Sequence, residues 1–204
     1  MALPQGFVYL ADIDPTILQD IKYATADNLM GRPLAGYLKP IAITTEPVAL
    51  ALATIQQQVK SQNLSLIVYE AYRPQRAAKD MHDWSQDLTD QKNKQTYYPN
   101  VNKVNFYALG YILEYSLHTR GAAVDVSLVD VSTGKALDMG TGFDFMDDLS
   151  HPANKAVGEV AYKNRQMLRE LMQAHGFNGI KTEWWHFNFI NELFPNSYFD
   201  FVVE

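Results

Sequence analysis

Cysteine is absent from this 204-residue sequence. No disulfide can form and no thiolate can hold a metal, so any bound ion must be ligated by His, Asp or Glu. The lack of disulfides suits a reducing compartment, and the expected location is the cytoplasm. Long apolar runs are also missing: nothing approaches the roughly 20 residues needed to cross a bilayer. The start, Met-Ala-Leu-Pro-Gln-Gly-Phe, has no basic region ahead of an apolar one, so no signal peptide is read there. Positive charge is not in excess either. A net charge of −6 offers nothing to nucleic acid or to an anionic membrane. There are no repeats, low-complexity tracts or linkers, and residues 1–204 are expected to form one domain. Gly-x-Ser-x-Gly, His-Glu-x-x-His, phosphate-binding and dinucleotide-binding motifs are all missing.

What is present is an ordinary globular composition, 47% hydrophobic and 20% charged. One stretch stands out within it, Ser116-Leu117-His118-Thr119-Arg120-Gly121-Ala122-Ala123-Val124-Asp125. His118 and Asp125 are both good zinc ligands. Gly121 allows a turn between them, and Ala122 and Ala123 leave room beside the backbone. From Ala123 the chain reads as a strand, with Ala123, Asp125 and Ser127 on one face and Val124, Val126 and Leu128 on the other. A third ligand comes late, in Glu183-Trp184-Trp185-His186. His186 completes a His, Asp, His set that leaves a fourth position for water, as a catalytic zinc requires. Glu183 is the candidate general base for that water.

The rest of the chain supplies a scaffold. Thr44-Thr45-Glu46-Pro47 marks a helix start, and a helix to about Lys60 should bury Val48, Leu52, Ile55 and Val59. Leu64 to Tyr72 reads as a strand, with Leu66, Val68 and Glu70 sharing a face. It leads to Arg73, set just before a helix that Pro74 begins. A cation fixed at such a junction is placed to stabilise an oxyanion. Arg76, one turn on, is expected in solvent. Asp87 to Asn102 reads as a polar excursion of lid type, and Val104 to Tyr115 as a helix interrupted by Gly110. Asp130 to Lys135 is a hairpin turn. Met139 to Asp148 is a flexible acidic loop containing Asp144. Asn154 to His175 is the longest helix, with Val157 and Val160 among its apolar positions and Gly176 closing it. Phe177 to Ile190 finishes the sheet. Strands and helices do not alternate regularly, so the expected class is α+β, a mixed or antiparallel sheet with helices packed around it.

One difficulty follows from strand geometry. Residues i and i+3 of an ideal strand face opposite ways, so Glu183 and His186 converge only if Glu183 sits at the strand's mouth or on a bulge. His82, His151 and His175 are read as surface or helix-end residues and not as ligands.

The pattern Ser116-x-His118-x-x-Gly121-x-Ala123-x-Asp125, followed by Glu183-x-x-His186, resembles the zinc D-Ala-D-Ala peptidases, whose fold is shared by the Hedgehog signalling domain. Further runs are Tyr72-Arg73-Pro74-Gln75-Arg76, Asp138-Met139-Gly140-Thr141-Gly142-Phe143-Asp144-Phe145-Met146 and Glu183-Trp184-Trp185-His186. They are similar to the VanX-type D-alanyl-D-alanine dipeptidase branch. The resemblance implies one zinc ion on His118, Asp125 and His186, Glu183 as base and Arg73 on the carbonyl oxygen. It also implies that Asp144 meets the substrate ammonium, with Tyr23 and Ser116 as further contacts. The expected activity is hydrolysis of the dipeptide D-Ala-D-Ala. A D,D-carboxypeptidase or endopeptidase on peptidoglycan stems is the nearest alternative, and a zinc-stabilised module without catalysis is the alternative of another class.

Overall fold

The structure, a computed structural model, describes residues 3–204, so Met1 and Ala2 of the N-terminal reading lie outside the described residues. Along the chain come β1 (Phe7–Tyr9), α1 (Leu10–Ile13), β2 (Leu18–Gln19), β3 (Ile43–Thr45) and α2 (Glu46–Lys60). Next are β4 (Leu64–Glu70), α3 (Gln75–Gln86), α4 (Lys94–Tyr97), β5 (Ala123–Asp130) and β6 (Lys135–Ala136). The last elements are α5 (Glu159–Ala174), β7 (Phe177–Gly179) and β8 (His186–Phe189).

Aliphatic runs place β4 and β5 at the centre. Leu66, Val68, Val124, Val126 and Leu128 are buried completely, each contributing about 1.5–3 kcal/mol of transfer free energy. The sheet order is β2-β4-β5-β8-β7, with β6 joined to β5. β2 runs parallel to β4 and the remaining pairs are antiparallel. The sheet is therefore mixed, and β1 and β3 form a separate antiparallel pair. α2 covers β4 with Val48, Leu52, Ile55 and Val59, as the spacing predicts. Thr45 is its extended N-cap residue, and Pro47 sits in the first turn where its missing N–H is not needed.

Four segments differ from the sequence reading. Residues 104–115 do not form a helix; a short 3₁₀ turn at Lys103–Asn105 is followed by turns, with Gly110 at φ +78°. Only Phe106 and Ile112 of that stretch are buried, and a spacing of six does not make a helical face. Residues 87–102 are largely exposed, are anchored at a few points and do not border the cavity beside His118, Asp125 and His186, so they are not its lid. Lys103 Nζ donates to Asp87 O (2.7 Å) and Trp84 Nε1 donates to Asp90 Oδ2 (2.9 Å), while Tyr98 is fully buried. The long helix begins at Glu159 because Gly158, at φ +92°, separates it from a 3₁₀ turn at Lys155–Val157. Val160 is then 65% exposed, and the buried face carries Arg165 instead. The acidic loop 139–148 is irregular but packed, with Met139, Asp144, Met146 and Asp147 buried.

No helix among the described residues is long and apolar enough to cross a membrane.

Candidate active site

Cross-strand registry assembles the centre of the site. Asp125 of β5 is the direct partner of His186 on β8. Direct partners point to the same face of a sheet, and His186 Nδ1 lies 3.0 Å from Asp125 Oδ1. His118 arrives from a 3₁₀ turn, Leu117–Arg120, that Ser116 caps by accepting from His118 N (3.2 Å). Gly121 ends that turn at φ +67°, a left-handed angle that favours glycine, and leads straight into β5. His118 Nε2 then lies 3.1 Å from His186 Nδ1 and 3.4 Å from Asp125 Oδ1. One donor atom from each residue falls within 4.8 Å of the other two, and this buried group can hold a metal ion. His82, His151 and His175 are not part of it.

The outer ring nitrogens decide what the inner ones can do. His118 Nδ1 is 2.8 Å from Ala71 O, and His186 Nε2 is 2.8 Å from Asn188 Oδ1. Both outer atoms face oxygen acceptors, so they carry the protons. In the neutral rings the inner Nε2 and Nδ1 are then lone pairs directed at each other and at a carboxylate. Lone pairs that close repel unless a cation lies between them. Glu70 and Asp125 also outnumber Arg73 around this point. Burial alone would lower the His118 pKa; Glu70 and Asp125 outweigh it and raise it. The local potential is negative, and the donor set fits a divalent ion.

Glu183 stands before β8, at the mouth of the strand as the spacing requires, with Oε2 3.9 Å from His186 Nδ1. Burial pushes its pKa up to about 8, with His186 opposing and Asp125 and Asp144 adding. Arg73 follows β4, and its backbone N–H donates to His118 O (3.2 Å). Its guanidinium is clamped by Glu70, Nε to Oε1 at 2.7 Å and Nη2 to Oε2 at 2.5 Å. Nη1 has only a long contact to Met81 Sδ (3.9 Å). Burial acts against the Arg73 charge, but Glu70 more than offsets it and raises the pKa. Arg76 lies on the surface, paired with Asp200.

Asp144 is buried and accepts from Tyr23 Oη (2.7 Å). Burial raises its pKa to about 8; the Tyr23 bond opposes this, while Asp125 and Glu70 add to it. It also holds φ +58°, uncommon for a residue with a side chain. Tyr23, Arg73, Ser116, Asp144, Glu183 and the three candidate ligands all border one cavity of about 170 Å³. Its remaining wall includes Tyr111, Leu113 and Tyr115, so residues 110–117 and not 87–102 overhang the site.

A family model described as D-ala-D-ala dipeptidase matches residues 4–204. The chain belongs to that family. Three D-alanyl-D-alanine dipeptidases are similar along nearly their whole length. That of Enterococcus faecalis is 36% identical over 202 residues, covering 99% of this chain and 100% of the other. That of Enterococcus faecium is 36% identical over 199 residues, covering 98% of each. That of Streptomyces coelicolor is 36% identical over 197 residues, covering 97% of this chain and 98% of the other.

For a member of the D-Ala-D-Ala dipeptidase family, two residues beside the centre had no role in the sequence reading. Asn188 fixes the His186 tautomer, and its signal was a polar residue two places from a ligand on the same strand face. Glu70 holds Arg73, and its signal was an acid three residues ahead of Arg73 at the end of an apolar run.

Proposed function

We propose that this chain hydrolyses D-Ala-D-Ala to two D-alanines, using zinc held by His118 Nε2, His186 Nδ1 and Asp125. The observation that supports it is the pair of inner imidazole nitrogens 3.1 Å apart with both outer nitrogens committed to acceptors. Zinc suits two imidazoles and a carboxylate; when bound it polarises a carbonyl and lowers the pKa of water to about 7.

The chain's own groups supply the remaining steps. Asp144 receives the dipeptide ammonium, with Tyr23 steadying the carboxylate and Ser116 a further contact. Glu183 takes a proton from the attacking water as the water oxygen bonds to the scissile carbon. The Arg73 Nη1 edge, free of Glu70, donates to the oxygen on which charge develops. The C–N bond then breaks, and Glu183 returns the proton to the leaving nitrogen. An N-acylated or longer stem has no ammonium to pair with Asp144 and forgoes that interaction, so it binds less well than the free dipeptide. A cytoplasmic location and a single catalytic domain belong to the same proposal.

Metal analysis combined with product analysis tests it. About one zinc per chain and release of D-alanine from D-Ala-D-Ala, abolished by chelator, is the expected result. L-Ala-L-Ala should be a poor substrate. Preferential cleavage of a pentapeptide stem would replace this reading with the carboxypeptidase alternative, and no turnover of either would leave a binding module.

A further inference from the structure

Arg165 is a charged side chain on α5 that is only 1% exposed. Its acceptors are all neutral: Nε donates to Met139 O (2.7 Å), Nη1 to Leu149 O (2.8 Å) and His151 O (3.0 Å), and Nη2 to Thr141 Oγ1 (3.2 Å). Burial lowers its pKa to about 10, so the fold bears an electrostatic cost to keep the cation there. Asp138 offsets part of that cost without hydrogen-bonding to the guanidinium, and an aliphatic residue would fill the space more cheaply if packing were the only need.

Those acceptors bracket Asp144 in sequence, two before it and two after. Asp144 itself holds a left-handed backbone angle, φ +58°. Such a conformation persists only where the surroundings over-determine it. Gly140 seats the start of the loop against α5 and the 3₁₀ turn before it, where an added Cβ would lie 3.1 Å from Ala161 Cβ and 2.5 Å from Val157 Cβ. Ser150 Oγ ties the loop to itself, lying 3.0 Å from Thr141 Oγ1 and donating to Phe145 O (2.5 Å).

Thr141 also reaches the other half of the site. Its Oγ1 accepts from Trp184 Nε1 at 2.9 Å. Trp184 is buried and directly follows Glu183. A short chain of hydrogen bonds thus runs from Arg165 through Thr141 to the segment carrying Glu183.

We propose that Arg165 is a positioning residue which, through Thr141 and Trp184, holds the Asp144 loop and the Glu183 segment in one rigid frame. The inference rests on the dipeptidase reading, in which Asp144 meets the substrate ammonium and Glu183 moves the proton. The frame sets the distance between the ammonium subsite and the base, and so the length of substrate that can react. Displacement of about 1 Å at such a site can cost 10²-fold in rate.

The test compares zinc-loaded wild type with Thr141→Val, Trp184→Phe, the double variant and Arg165→Lys, with Asp144→Asn as control. Each is measured for kcat and KM on D-Ala-D-Ala, metal content and thermal unfolding. Thr141→Val keeps the side-chain volume and removes the bonds at Oγ1 to Arg165, Trp184 and Ser150, and Trp184→Phe removes the indole N–H at the cost of a smaller ring, a loss that thermal unfolding reads separately. The expected result is a KM about tenfold higher at unchanged metal content, with the double variant no worse than either single one. Arg165→Lys keeps the charge but cannot span all the acceptors, and raises KM at least as much. If Asp144→Asn raises KM while Thr141→Val and Trp184→Phe leave KM and kcat within twofold, the positioning role is wrong and the subsite reading survives. A fall in kcat that follows the folded fraction, with KM unchanged, also overturns it. If Asp144→Asn leaves KM unchanged, the subsite reading fails and the Arg165 proposal fails with it.

Discussion

Glu70 is the cross-strand partner of Asp125, although simple alternation along β4 would set it on the opposite face. The register pairs Val68 with Val126 and then Glu70 with Asp125, so two residues of β4 oppose one of β5. This bulge brings Glu70 onto the face of the three candidate ligands, where it clamps Arg73 and lies 3.7 Å from His118 Nε2. Glu70→Ala leaves a buried guanidinium without its anion. The variant should lose about 3–5 kcal/mol of stability, measured by urea unfolding; a loss under 1 kcal/mol would show that Arg73 finds solvent or another partner.

Arg73→Lys retains a charge but not the fork that grips Glu70 while leaving Nη1 free. A fall in kcat of about 10²–10³ is expected, the usual effect of losing one oxyanion donor. Steady-state kinetics on D-Ala-D-Ala reads this directly, and a change confined to KM would move Arg73 from the oxyanion to ground-state binding.

Glu183 lies outside the His118, Asp125, His186 group. Glu183→Gln should therefore keep its metal and lose about 10²–10⁴ in kcat or more. Metal content and turnover on the same sample decide the matter. Near-normal turnover would remove the proposed base.

Asp144 makes the metal-free protein sensitive to pH. Its folded pKa of about 8 lies above the ordinary 3.8, so the folded state binds the proton more tightly than the unfolded chain. Stability from this group is greatest below pH 4 and falls as pH rises toward 8. Asparagine cannot ionise. Metal-free Asp144→Asn should melt higher than metal-free wild type at pH 8, with the gap narrowing toward pH 4, while losing dipeptide turnover. Calorimetry across that range checks the sign; a gap that narrows with rising pH would contradict the raised pKa.

Asn188→Ala removes the oxygen that fixes the His186 tautomer. Zinc affinity should fall about 10–100-fold, as loss of such outer partners generally causes. Competition with a chromophoric chelator measures it. Chelation of wild type should also lower the melting temperature, because the ion binds the folded state; an unchanged melting temperature would argue against the ion at this centre.

The readable parts of the chain were those governed by local rules. The cap and proline before α2, the apolar alternation of β4 and β5, and the hairpin at 130–135 each state their geometry within a few residues. The need for Glu183 to sit at a strand mouth was also visible, since period-two alternation forbids the alternative. Residues 104–115 misled because apolar content suggested a helix, while only Phe106 and Ile112 had core positions to occupy. The overhang of the cavity by residues 110–117 was hidden for the same reason, since it depends on which side of the fold those turns pack against.

Sequence by itself determined that metal ligation had to come from imidazole and carboxylate, and which three residues were candidates, because side-chain chemistry is carried by residue type. Tertiary structure alone decided that Glu70 faces Asp125 and that Arg165 grips the Asp144 loop. These contacts span strands and loops far apart in the chain, and a single bulged residue is enough to reverse the face a side chain presents.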